Sequence, residues 1–380
     1  MKTIHVAFCL EQQYGHILPA LGIALELLRR GHRVSFAVSE AFASLISRVG
    51  ARPVIICPLD TRREALSAIL TKEDGSELNL TESALLKLTN LSRDRTAQSL
   101  AQLDELYVDD MPDVIIHDDI YDTAGRTFAE KKGIAKIRLQ SQFIDHDDPT
   151  ISPRMFDNDE LVVVTVPTFF QRTPEVYSSS ARFRFVGFIP EGRSAAFQPW
   201  TPKRHLSRFI LASATTGMGP QIKYCQTLLD SFRSQPWDIV LSLSAFMDHT
   251  SDIDTALLKD VPANVQINRY AGNFEIMERS CLFIGQGGQG ATLEAIYHGV
   301  PQIVVPPYPY HLQVARRVSE LGFGTCLPLS ELSPKRMVKE ISSLLDDATT
   351  LERVREAGCS MRGSRGAALA AEAIETHTPK

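Results

Sequence analysis

The sequence predicts an α/β protein of two doubly wound parallel-sheet domains. Strand-sized apolar runs alternate with helical patterns along both halves of the chain, the order that builds parallel sheets covered by helices. The two series are separated by "IPEGRSAAFQPWTPKRHLS", a stretch rich in Pro, Gly, Ser and charge with no clear period, which reads as an interdomain linker. At 380 residues the chain exceeds one ordinary core, and two domains of about 150 to 200 residues are expected. The expected division is an N-terminal domain over 1–190, a linker over 191–206, a C-terminal domain over 207–360, and a closing helix within 361–380 that packs back on the first domain.

Each element has its own signal. The first series opens with the strand "IHVAFCL" and a helix over Leu18 to Arg30. Pro19 suits its first turn, Leu21, Leu25 and Leu28 form its apolar side, and Gly31 suits its stop. "RVSFAV", a helix over Ala41 to Val49, and "PVIICPL" follow, with "DVIIHDD" later. The second series runs "RFILAS", a helix around Gln221 to Ser234, "WDIVLSLS", "VQINRY", "CLFIGQ", a helix from Ala291, "QIVVPP" and a helix from Leu312.

Composition narrows the partners. With 40 basic against 45 acidic residues and a pI near 6.1, no basic face is expected, so nucleic acid and anionic membrane are excluded as main partners. No stretch approaches the ~18 apolar residues of a membrane span, and the N-terminus lacks a signal-peptide pattern. The six cysteines contain no C-x-x-C pair and fit a reduced, cytoplasmic setting.

Candidate functional residues cluster after strands. His16 follows the first strand, at the edge of an open α/β sheet where ligands collect. A histidine there takes a proton near neutral pH if a carboxylate orients its other nitrogen; it could equally cap or pack the loop. Asp118 and Asp119 follow "DVII" and end at the same edge, which makes a His–Asp dyad plausible, although an aspartate here can also cap the next helix, a role that suits Asp122 better. "IDHDDPT" resembles a metal cluster but sits in a Pro-containing polar segment and reads as a solvated loop, so no metal site is expected.

Gly285, Gly287 and Gly290 spell G-x-G-x-x-G after "CLFI". A dinucleotide-binding turn opens its domain and is followed by an acid at the end of the next strand. These glycines come deep in the second half and the next strand, "QIVVPP", ends in prolines. What survives is a pyrophosphate cradle: Gly287 and Gly288 allow close backbone approach, and the free N–H groups of the following helix attract a phosphate.

The segments Gly-Gly-x-Gly-x-Thr-x-Glu-Ala (287–295), "HGVPQIVVP" and "ARRVSELGFG" resemble the donor-site signature of nucleotide-sugar-dependent glycosyltransferases of the macrolide and antibiotic type. The resemblance extends over nearly the whole chain, through "YGHILPALGIALELLRRGHRVSFA", "PDVIIHD", "FRFVGF" and "SRGAALAAEAI". It implies the GT-B fold, two Rossmann-like domains facing a cleft, with the acceptor on the first domain and the nucleotide sugar on the second. His16 is then the general base toward an acceptor hydroxyl, Asp118 orients and stabilises it, and the anomeric carbon is inverted. Ser213 and Thr216 match the loop touching nucleotide and phosphate, Thr292 lies beside the phosphates, and Glu294 matches the acid on the ribose. Asn273, Gln286, Gly287, Gly288, Gly290, Tyr310 and His311 complete the donor set, and Tyr14 and Phe143 the acceptor side. The implied co-substrate is a UDP- or dTDP-sugar with no metal or other cofactor. The acceptor is a small natural product, with a homodimer or an auxiliary protein as a way to complete its site.

The chain departs from that pattern in the donor half. Gln286 replaces the histidine that contacts the diphosphate, Ala291 replaces a serine or threonine, Tyr310-His311 replaces the Asp/Glu-Gln pair that grips sugar hydroxyls, and Asn273 replaces the glutamine near the base. A neutral amide lacks the charge of an imidazolium, and without the carboxylate a deoxy or modified sugar is as compatible as glucose. The departures keep open two other readings: a non-catalytic, glycosyltransferase-like partner protein and a GT-B sugar-nucleotide epimerase.

Overall fold

A computed structural model describes residues 2–56, 82–118, 123–142, 144, 160–172, 180–197, 199–202, 208–214, 221–243, 258–269, 272–307 and 309–379. The chain divides into two compact units, Met1–Ala196 with Ser364–Lys380, and Phe197–Gly363.

The first unit carries a seven-stranded sheet in the order β3-β2-β1-β4-β5-β6-β7. The strands are β1 (His5–Cys9), β2 (Arg33–Val38), β3 (Arg52–Ile55), β4 (Val114–His117), β5 (Ala135–Gln140), β6 (Leu161–Val164) and β7 (Phe183–Phe185), and every pairing is parallel. Val6, Ala7 and Phe8 of β1 are all buried, as a strand covered on both faces requires. The order reverses between β1 and β4, the switch point where a crevice opens beyond the carboxyl ends of the strands.

The second unit repeats the plan with six strands in the order β10-β9-β8-β11-β12-β13: β8 (Phe209–Ala214), β9 (Asp238–Leu243), β10 (Val265–Arg269), β11 (Ser280–Gly285), β12 (Gln302–Val304) and β13 (Gly324–Cys326). Its pairings are also parallel, and its switch point lies between β8 and β11. Ile210, Ala212, Leu241 and Leu282 pack on one face, while Phe209, Leu211, Val240 and Phe283 pack on the other.

The closing helix, Gly366–His377, belongs to the first unit. Arg30 donates to Glu375 at 2.7 Å and His32 lies 2.8 Å from the same carboxylate. Gly366 passes so close to Val186, Phe188 and Ile189 that a Cβ would come within 3.0 Å of the Ile189 side chain.

Several helix limits differ from the sequence expectation. The first helix starts at Tyr14, not Leu18, so Pro19 lies inside it. Pro19 removes one N–H, and the carbonyl four residues back belongs to exposed Gly15, where loss of an intrahelical bond costs least. The buried side of this helix is Leu21, Ala24 and Leu27, with Leu25 and Leu28 only half-buried. The second glycine-following helix begins at Gln289, two residues before Ala291, and the next at Pro309 instead of Leu312. A long helix, Glu82–Leu106, has no counterpart in the sequence reading. Among the described residues, no helix is long and apolar enough to cross a membrane.

Candidate active site

His16 and Asp118 meet at the first switch point. β1 and β4 pair with Cys9 opposite His117, so the residues after each strand leave the sheet side by side. His16 is therefore within the first turn of the helix Tyr14–Arg29, not ahead of it. Its Nδ1 lies 2.8 Å from Asp118 Oδ2, and the two residues are 5% and 3% exposed. A carboxylate only accepts, so Nδ1 carries a proton, and in the neutral ring Nε2 holds the lone pair.

Asp118 is held from three directions. The Glu11 backbone N–H donates to its two oxygens at 3.2 and 3.0 Å, and Arg138 Nη2 donates to its carbonyl at 3.2 Å. The Glu11 N–H and the His16 ring fix the carboxylate and offset the cost of burying it, while the Arg138 bond anchors the backbone of the same residue. Glu11 in turn lies 3.4 Å from Arg95 on the helix Glu82–Leu106. Gln142 Nε2 stands 3.5 Å from His16 Nε2, the outer limit of a hydrogen bond, and so marks what borders the lone pair. Glu11, Arg138 and Gln142 escaped the sequence reading; the only available signal was that Glu11 and Gln142 directly follow strand ends.

The neighbouring histidine has a different task. His117 and Asp118 are consecutive and face opposite ways, and His117 Nε2 lies 3.1 Å from Glu160 Oε2 in a fully buried pair. Tyr14 packs its ring against Phe42 at 5.6 Å, and burial raises its phenol above the usual range, so it is neutral at ordinary pH. Phe143, Asp119 and the "DHDD" run lie outside the described residues.

In the second unit the expected donor residues gather at the β8/β11 switch point. Ser213, near the end of β8, accepts from Asn273 Nδ2 at 3.1 Å. Gly287 follows β11 with φ of +84°, and a Cβ there would sit 2.7 Å from the His311 carbonyl oxygen. That glycine is required by backbone conformation and close packing. Gly288 and Gly290 differ: among the described residues, a Cβ on either meets nothing within 4 Å. The two adjacent glycines therefore differ: Gly287 serves the fold, and Gly288 faces open space among the described residues.

Gly288 is the N-cap of the helix Gln289–His298, with extended backbone and no side-chain cap, so the first N–H groups of this helix have no capping side chain. Gln286, Thr292 and Glu294 are buried around this turn. Tyr310 Oη donates to Gln289 Oε1 at 3.2 Å, and its ring is 5.9 Å from that of His311. Burial lowers the His311 pKa to about 4, leaving a neutral imidazole. Thr216 lies outside the described residues. Among the described residues, no group of three or more His, Cys, Asp or Glu side chains is placed to hold a metal ion.

Comparison with known proteins gives a consistent set. Residues 228–367 match the family model described as erythromycin biosynthesis protein CIII-like, C-terminal domain. The chain is 28% identical over 411 residues to the NDP-glycosyltransferase YjiC of Bacillus subtilis (strain 168), covering 100% of this chain and 99% of that protein. It is 27% identical to the demethyllactenocin mycarosyltransferase of Streptomyces fradiae, over 98% of this chain and 86% of the relative. Among solved structures, the calicheamicin glycosyltransferase CalG4 superposes with a TM-score of 0.77 at 24% identity, covering 99% and 98% of the two chains. The shared architecture is GT-B, two parallel-sheet α/β units.

Proposed function

We propose, from the premise that the chain belongs to the antibiotic-type glycosyltransferases of family 1, that it moves a sugar from a UDP- or dTDP-sugar to a hydroxyl of a small natural product with inversion. The observation that carries this reading is the buried His16–Asp118 pair, 2.8 Å apart, whose outer nitrogen keeps its lone pair.

The steps follow from the groups present. His16 Nε2 accepts the proton of the acceptor hydroxyl as that oxygen attacks the anomeric carbon, and Asp118 stabilises the imidazolium that forms. The bond from the anomeric carbon to the nucleoside diphosphate breaks on the opposite face, which inverts the centre. The departing diphosphate is stabilised by the uncapped N-terminus of the helix Gln289–His298, reached over Gly288 and Gly290. Ser213 and Asn273 hold the nucleoside side, and Glu294 the ribose. No divalent metal takes part, since backbone N–H groups and neutral amides carry the diphosphate charge.

The mycarosyltransferase relative supports a natural-product acceptor, and the neutral Tyr310-His311 pair agrees with a sugar poorer in hydroxyls. The test is incubation with UDP- and dTDP-sugars and a panel of hydroxylated acceptors, read by mass spectrometry. A product heavier by one glycosyl unit is expected. Donor epimerisation without transfer, or binding without turnover across the panel, would reject the reading.

A further inference from the structure

Near the open glycines lies a buried amide that the reaction above does not use. Gln289 opens a ten-residue helix and is 7% exposed. Its Oε1 accepts from Tyr310 Oη at 3.2 Å. Its Nε2, shielded from solvent, has no hydrogen-bond partner among the described residues. A buried amide N–H left unpaired is costly, and in a native structure it points to a partner that arrives later.

Tyr310 decides which end of the carboxamide is available. The phenol donates to one end and so identifies it as Oε1; the unpaired Nε2 can only donate, and the ligand atom that meets it must be an acceptor. Gly288 and Gly290, on either side of Gln289, leave open space where side chains would stand. The first turn carries no acidic residue and its N-cap glycine supplies no capping side chain, and the backbone N–H groups there carry positive partial charge. Gly287 lies against the His311 backbone, which brings the start of the helix Pro309–Glu320 to the same corner. A group that only accepts, carries negative charge and approaches over bare glycine is a phosphate. A sugar hydroxyl can also accept, but it brings no negative charge to match the helix N-terminus.

We propose that Gln289 binds the donor's β-phosphate, its Nε2–H donating to a non-bridging oxygen, and that Tyr310 is the positioning residue that holds the carboxamide in that orientation. The pair supplies a neutral donor to the leaving group. This rests on the reading of the corner as the nucleotide-sugar site.

The experiment is calorimetric titration of the full chain and its variants with UDP and dTDP, and with UMP and dTMP, which lack the β-phosphate. Gln289→Leu should weaken the diphosphates about 10- to 100-fold, the range for a hydrogen bond to a charged group, and leave the monophosphates within about twofold. Gln289→Met, which keeps the length of the side chain, should behave alike and guards against a folding defect in the leucine variant. Tyr310→Phe should weaken the diphosphates less, by about three- to tenfold, and add no further loss in the Gln289→Leu background, since it acts only through the amide. Equal losses for mono- and diphosphates, or diphosphate affinities unchanged in both Gln289 variants, would overturn the proposal. If the parent protein binds no nucleoside diphosphate, the donor reading itself fails and takes the proposal with it.

Discussion

Valine in place of Gly288 separates ligand approach from backbone strain. Gly288 has φ of −62° and ψ of 126°, values open to any residue, and its missing Cβ faces empty space. Glycine and valine both lack a capping oxygen, so the helix loses at most about 1 kcal/mol. The branched side chain would stand where a phosphate meets the helix N-terminus. Two displaced bonds to a charged group, each worth about 1.5–3 kcal/mol, sum to about 3–6 kcal/mol, or about a 10²- to 10⁴-fold loss of affinity. Gly287→Ala is the contrasting variant: at φ of +84°, with the His311 oxygen 2.7 Å from the new Cβ, left-handed strain of roughly 1–2 kcal/mol adds to a backbone clash. Calorimetry with UDP or dTDP, paired with thermal melting, reads both effects. Gly288→Val should melt within about 4 °C of the parent and lose the nucleotide, and Gly287→Ala should melt earlier still. A Gly288→Val protein that binds nucleoside diphosphate like the parent would refute the cradle.

Asp118→Asn should lower transfer by less than loss of His16, because the amide keeps the shape but not the charge that stabilises an imidazolium; unchanged kcat would remove Asp118 from the mechanism. Stability should fall as pH drops from about 6.5 toward 4. Burial, assisted for His298 by Arg362, lowers the pKa of His298 and His311 from 6.5 to about 4, so the unfolded chain takes up protons that the folded chain refuses. His311 contributes a loss of up to about 3 kcal/mol, the partly exposed His298 contributes less because solvent screens it, and His5, also depressed by burial, adds to the same window. Glu26, held near 2 by its Arg29 and Arg30 partners, loses its contribution only below about pH 4.5, so urea unfolding at pH 7 and 5 reports the histidines; His298→Phe should flatten the difference, and an unaltered pH slope would contradict the assignment. Transfer should proceed at the parent rate in excess chelator, and activity that magnesium or manganese alone restores would reject the metal-free reading.

Sequence periodicity exposed most of the fold because both sheets are buried on two faces. Strands such as "HVAFC" and "FILASA" are near-continuous apolar runs, and their order already implied parallel pairing. Helix starts were less legible. Gln13 and Gly288 cap without a side-chain hydrogen bond, so the usual Ser, Thr or Asp marker was missing and Pro19 drew the first boundary too late. The helix Glu82–Leu106 is largely polar and gave little apolar period. Within the site, His16 and Asp118 were visible because each follows a strand. Their supports were not: the Glu11 N–H reaches Asp118 across 107 residues, and Tyr310 reaches Gln289 across 21. No local pattern encodes a contact that only strand order creates.

The rate of glycosyl transfer by His16→Ala to an aliphatic alcohol, compared with an acidic phenol, tests the account most directly. An aliphatic hydroxyl holds its proton too tightly to react unaided, so loss of a positioned base should cost about 10²- to 10⁴-fold in kcat, while the phenol should lose much less and nucleotide affinity should stay at the parent value. Transfer to the aliphatic alcohol at the parent rate would contradict the account and return His16 to a packing role in the first turn of the helix Tyr14–Arg29.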